Sequence, residues 1–313
     1  MKKIHLYITI LFVVAMANQA IAQQEYMFTH YMFNKMAINP GFTGTEDALS
    51  ITGIHRSQWV AFEGAPTTQN ITAHMPIEGK NFGVGLGISN DQIGPTQNIG
   101  INGNFAYHLK VNEEATLGLG LRAGINFFSN KLTSLKTVNT NDVAFAENIS
   151  NKMLPNVGFG AFYYTDKYFA GISTPKLLQN NLDVNDPTGT SLAIAHEKRH
   201  YFLMGGSIFD LTSDGQFKIK PTTLIKITGG APIQLDLTGN VIYKEQISAG
   251  LSWRTGDAIG LLLGYNFNKD FSVGYSFDFS YTNTTFNYNG GSHEIMLQYN
   301  IPRGTSSSTP KYY

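Results

Sequence analysis

The chain has 313 residues, 22 basic and 22 acidic side chains, no cysteine, and only 14% charged residues, against about 25% in soluble domains. Balanced charge with no Lys/Arg cluster excludes a nucleic-acid surface, and the lack of cysteine excludes disulfides as a source of stability. Low charge with abundant Gly, Phe and Tyr suits an exported membrane barrel; a secreted β-sandwich is the competing class, and periodicity must decide between them.

In chain order, Lys2 and Lys3 precede an apolar run from Ile4 to Met16, and Ala20-Ile21-Ala22 fits a small-x-small cleavage site. Residues 1–22 therefore read as a signal peptide, with the mature chain starting at Gln23 and a net charge of −2 once the two lysines are gone. No later run approaches the ~18 apolar residues that a membrane helix needs. Residues 23–47 form the next unit. Met27, Phe28, Tyr31, Met32 and Met36 recur at helical spacing, which predicts a short helix over Tyr26–Met36. Asn39-Pro40 ends it, because a residue before proline avoids the helical region. An apolar helix face must be buried somewhere. Phe28, Tyr31, Met32, Met36, Asn39 and Pro40 are thus the candidate plug, folding into the periplasmic mouth of a barrel; the alternative is a periplasmic segment outside it.

From residue 48 the chain alternates with period two. Phe271, Val273, Tyr275, Phe277, Phe279 and Tyr281 share one face, and Ser272, Gly274, Ser276, Asp278 and Ser280 the other. Such runs predict about fourteen antiparallel strands between residues 48 and 300, the even number of a bacterial barrel. Connection lengths test the count. Those after even strands are tight, such as Glu78-Gly79-Lys80 and Lys244-Glu245, whereas the long ones, Ser129–Pro155, Pro175–Arg199 and Thr282–Gly290, all follow odd strands. Short periplasmic turns and long external loops are the barrel pattern, and both termini are then expected to be periplasmic. Pro221 inside a strand is a discord, read as a bulge. Residues 301–313, rich in Ser and Thr, read as a disordered periplasmic tail. The expected fold is all-β: a transmembrane β-barrel with a short N-terminal helical plug.

Lipid leaves no water for unpaired backbone groups, so the barrel must close and its polar face must line the lumen. Arg56, Arg122, Asp236, Arg254, Asp278 and Glu294 fall on that face. Both signs are present, so ion pairs are expected rather than a selectivity ring of one sign. Many other inward positions are glycine, among them Gly83, Gly85, Gly87, Gly118, Gly120, Gly160, Gly250, Gly264 and Gly274. They either ease strand curvature or leave room for a plug.

No catalytic, cofactor or metal site is read from the sequence. His196-Glu197-Lys198-Arg199-His200 matches the HExxH pattern of zinc proteases, but it runs into a strand, where its histidines cannot share one helical face. Gly118-Leu119-Gly120-Leu121-Arg122-Ala123 lies within an alternating strand and opens no helix, and no GxSxG elbow is present.

HYMFNKMAINPGFTGT at 30–45, HRSQWVAFEGAPTTQ at 55–69, GVGLGISNDQIGPT at 83–96, RHYFLMGGSIFD at 199–210 and GLSWRTGDAIGLLLGYNF at 250–267 resemble the PorP/SprF family, outer-membrane proteins of the type IX secretion and gliding system of Bacteroidota. The usual PSLL-type run departs to Pro221-Thr222-Thr223-Leu224. The resemblance implies a barrel similar to the fatty-acid-transporter type in the outer-membrane lipid. It also implies a role in secretion or surface attachment of large adhesins through their C-terminal sorting domain, with a periplasmic peptidoglycan-binding partner, no cofactor and no catalytic residues. The alternatives are a small-solute transporter or porin and, from a different class, an outer-membrane protease.

Overall fold

The computed structural model describes residues 25–135, 148–182, 184–185, 191–192, 196–281 and 290–302. Its strands are β1 (Ala48–Ser57), β2 (Thr67–Pro76), β3 (Phe82–Ile93), β4 (Thr96–Lys110), β5 (Thr116–Asn130), β6 (Ile149–Tyr164), β7 (Tyr168–Thr174), β8 (Val184–Asn185), β9 (Ser191–Leu192), β10 (His200–Ser207), β11 (Phe209–Asp210), β12 (Phe217–Thr228), β13 (Gln234–Tyr243), β14 (Ile247–Arg254), β15 (Ala258–Asn266), β16 (Phe271–Ser280) and β17 (Ser292–Pro302). All neighbours are antiparallel. β1 pairs with β17 from Ala48↔Pro302 to Ser57↔His293, and β10 pairs with β12, so the sheet closes on itself. With β11 continuing β10, and β8–β9 forming a separate hairpin within the connection after β7, the closed wall has fourteen staves.

Alternation decides which way each stave faces. Leu121 and Leu251 are 61% and 64% exposed, as expected of a lipid-facing band, while Asn104, Thr238 and Ser276 on the opposite parity are buried. Aromatic rings gather at the short-turn mouth, where Phe82 packs on Tyr107, Phe217 on Tyr243 and Phe267 on Phe271. A girdle of this kind marks a membrane interface.

β1 stops at Ser57, because Trp59 and Ala61 take φ of 46° and 73° and turn the chain out of the sheet. Two local features differ from the sequence reading. β6 starts at Ile149, before the first alternating residue, and meets β5 across a register irregularity between Phe128 and Asn130. Pro221 makes no bulge. Gly206 lies opposite Thr222 and Phe209 opposite Ile219, the same register on both sides. Pro221 has no N–H to donate, so the ladder lapses between those pairs.

Candidate functional site

The lumen holds the chain's own residues 25–47. The helical spacing over Tyr26–Met36 does not become a helix there: residues 29–33 form turns, and helix is limited to Lys35–Ile38, followed by a tight turn at Pro40–Phe42. The reason lies in the wall. The backbone N–H groups of Thr29 and His30 donate to the Glu294 carboxylate at 2.9 and 2.7 Å, so these donors are satisfied outside any helical ladder. Apolar side chains supply the bulk of the packing. Tyr31, Met32, Met36, Ile38 and Phe42 are buried against Phe162, Phe169, Phe202, Met204, Leu224 and Leu262 of the wall, and Phe28 against Ile54 and Met296.

The segment runs from one mouth to the other. Glu25 pairs with Lys176 at 2.6 Å, its carbonyl accepts from Lys226 Nζ at 3.1 Å, and its N–H faces His200 Nε2 at 3.5 Å. All three partners lie at the ends of β7, β10 and β12 that carry the longer connections. Burial opposes ionisation of Glu25, yet Lys176, with His200 and Lys226 nearby, holds its carboxyl below the ordinary value. At the other end Gly44 abuts Gly83, the second residue of β3, and Ala48 opens β1 at the short-turn mouth. Of the described chain, the first residue thus lies at the long-connection mouth and Pro302 at the short-turn mouth. The segment therefore reaches beyond the single mouth expected of it. The cause is a lumen that offers partners along its whole length.

Two kinds of wall hold the segment. On one side β1, β16 and β17 contribute Arg56, Asp278 and Glu294. Register sets this cluster: Arg56 lies directly opposite Glu294, and Glu294 opposite Ser276, two residues from Asp278. Arg56 bonds Asp278 at 2.6 Å and Glu294 at 3.1 Å. Thr29 Oγ1 donates to Asp278 at 2.6 Å and accepts from Arg56 at 2.9 Å, and His30 Nδ1 lies 2.8 Å from Glu294. Arg56 is 2% exposed and Glu294 fully buried. Buried charges are tolerable only when paired and hydrogen-bonded, and here the inner segment supplies part of that pairing.

On the other side β3–β7 recede. A Cβ at Gly120 would overlap the Pro40 carbonyl carbon and the Gly41 nitrogen; at Gly83 it would overlap the Thr43 carbonyl, at Gly118 that of Gly41, and at Gly160 the Asn39 side chain. Asn39 Nδ2 donates to the Ala161 and Ile172 carbonyls at 3.0 and 3.3 Å, while its Oδ1 accepts from the Gly41 N–H at 2.9 Å. Gly44 takes φ of 77°, a backbone state that suits glycine alone at this close approach. Gly87, Gly250 and Gly264 instead face wall side chains, those of Asn102, Asn240 and Ser248. Inward glycines therefore serve two purposes, divided by position.

Three named charges stand apart from the Arg56 cluster. Arg122 has carbonyl partners rather than an acid: it donates to the carbonyls of Met36 and Ala37 and to Asn104 Oδ1. Arg254 pairs with Asp236 at 2.7 Å across β13–β14 and with Asp257 at 3.2 Å. Sequence reasoning missed Thr29, His30 and Lys35. The Lys35 ammonium is buried over the rings of Phe42 and Phe169, at 4.7 and 5.3 Å. A polar residue between apolar ones gave the only signal. The HEKRH stretch is extended: His196 bonds Asn181 at 2.6 Å, and His200 stacks on Phe202.

Residues 20–299 match the family described as type IX secretion system membrane protein PorP/SprF. The chain belongs to that family. No curated protein matches its sequence. Among solved structures, a mutant of the monoaromatic hydrocarbon channel TodX aligns with a TM-score of 0.51 at 11% identity, over 89% of this chain and 95% of that one. The CymD monoaromatic hydrocarbon channel aligns with a TM-score of 0.50 at 11% identity, over 88% and 93%. A Pseudomonas aeruginosa FadL homologue aligns with a TM-score of 0.46 at 13% identity, over 92% and 96%. At such identities the channels share a fold with this PorP/SprF barrel and nothing finer.

Proposed function

We propose that this outer-membrane barrel of type IX secretion works as a plugged scaffold. Large adhesin-type cargo is held at its external rim through a C-terminal sorting domain, and a peptidoglycan-binding protein docks at the periplasmic mouth. The observation that carries the reading is residues 25–47 lying in the lumen from mouth to mouth, clamped by buried charge and packed against glycine. A wall so occupied leaves recognition to the rims, and connections on a rigid scaffold commonly carry binding. Residues 136–147 lie outside the described ones and belong to the connection between β5 and β6. Deleting part of 136–150 is expected to lower surface adhesin on intact cells while heat-modifiable barrel mobility stays normal; unchanged surface adhesin refutes the cargo role.

The second reading is a small-solute or hydrophobic-compound transporter, favoured by the hydrocarbon channels that share the fold. Planar-bilayer recordings separate the two. The intact protein is expected to be closed, and removal of 26–44 to open a pore or destabilise the wall. A large steady conductance of the intact protein would promote the transporter.

A further inference from the structure

Between the inner segment and the β12–β17 wall lies a cavity of about 420 Å³ that reaches the short-turn mouth, within the size range of small-molecule sites, roughly 300–1,000 Å³. Lys35 and Lys220 both line it and both are more than nine-tenths buried. Lys220 Nζ stands 5.6 Å from the Phe33 ring, and among the described residues no hydrogen bond or ion pair reaches it. An aromatic face offsets only part of the cost of burying an ammonium. Glu46 lines the same cavity, and its Oε2 is buried without a hydrogen-bond partner. Lys35, Lys220, Lys244 and Lys269 line the cavity against Glu46, Asp47 and Glu245, and Glu245 is already held by Lys218 at 2.6 Å, so the balance at this wall is positive. Around it stand neutral hydrogen-bonding side chains, Asn240, Gln298 and Asn300 among them, with Asn240 Nδ2 and Asn300 Oδ1 buried and without partners.

We infer that this cavity is a binding site for a small hydroxylated carboxylate of the sugar-acid class, its carboxylate on Lys220 and Lys35 and its hydroxyls on the amides. The site is independent of the cargo reading, since it uses neither the long connections nor the external rim. Galacturonate is a suitable probe, with galactose as its neutral match. Titration calorimetry on the purified full-length barrel in detergent at low salt is expected to give galacturonate at least about a tenfold advantage over galactose, the size of one modest charge contact. Lys220→Gln should remove that advantage while heat-modifiable mobility is retained. Glu46→Gln should tighten galacturonate binding by removing the competing carboxylate, and it decides the matter alone if Lys220→Gln does not assemble. No binding of galacturonate, equal binding of galactose, an unaltered Lys220→Gln, or an unaltered or weakened Glu46→Gln would each overturn the site.

Discussion

The two walls around the inner segment hold it in opposite ways. On the β1/β16/β17 side, long charged side chains reach in and bond Thr29 and His30. On the β3–β7 side, side chains are absent at Gly83, Gly118, Gly120 and Gly160, and the backbone of Asn39–Gly44 lies directly on the strands. The first wall depends on charge balance and tolerates changes of size poorly only where a partner is lost. The second depends chiefly on volume, with Arg122 and Asn39 adding hydrogen bonds to backbone carbonyls. Substitutions should therefore fail for different reasons on the two sides.

The largest effect is expected from Arg56→Ala. It strands Asp278 and Glu294 in a site where both are buried, and breaking such a pair costs about 3–5 kcal/mol. Denaturant or thermal unfolding in detergent reads the loss. Replacing Arg56, Asp278 and Glu294 together by apolar residues should cost much less than Arg56→Ala alone; an equal or greater loss would show that the cluster acts by more than mutual neutralisation. Next comes Gly120→Ala, whose methyl meets the backbone of Pro40 and Gly41 and cannot be relieved by a rotamer change; overpacking of this sort costs about 1–3 kcal/mol. Gly264→Ala meets the Ser248 hydroxyl first, which can move, so its effect should be smaller. A Gly264→Ala loss matching that of Gly120→Ala would erase the distinction between the two sets of glycines.

Thr29→Val removes a hydrogen bond to Asp278 and one from Arg56 and should cost about 1.5–3 kcal/mol, the range for bonds to charged groups. Phe28, Tyr31 and Met32 would still bury about 1.5–3 kcal/mol each, so the segment should stay inside and conductance stay low. The smallest effect concerns Glu25. Its carboxyl is held below the ordinary value, so its contribution is present above the unfolded value and is lost as pH falls through the depressed one. Hydrogen-exchange protection of residues 26–28, taken relative to the intrinsic rate at each pH, should therefore fall only in acid, below the usual carboxylate range, and Glu25→Gln should abolish that pH dependence. Protection that already changes near neutrality would implicate another group.

The wall was legible because period two is a local signal: each stave carries its own alternation, and the connection lengths count them independently. Inward positions such as Arg56 and Glu294 follow from the same parity. Their partnership does not, since they lie 238 residues apart and meet only through the closure of β1 on β17. The inner segment was least legible. Met27, Phe28, Tyr31, Met32 and Met36 are spaced as on a helix, yet the carboxylate of Glu294 captures the N–H groups between them. Propensity is a weak prior where a buried charge competes for the backbone. Pro221 makes the same point in the wall: the discord was visible, but the lapse in pairing between Gly206 and Phe209 that accommodates it lies in a strand that only the fold brings alongside.

The Arg56–Glu294 pair lies on the seam where the first stave meets the last. Thr29 bonds Glu294 across 265 residues of chain, so its anchor is among the last parts of the polypeptide to be made. Contacts of such sequence separation form slowly. A nascent barrel lacking β17 keeps Asp278 for the Thr29 hydroxyl but has no carboxylate for the backbone N–H groups of Thr29 and His30, and a finished ring has no gap wide enough to admit Tyr31, Met32 and Phe42 from the side. Capture of the N-terminal segment and closure of the seam are thereby coupled through Glu294, and a barrel sealed without residues 25–47 lacks the partners that Thr29 and His30 give that carboxylate.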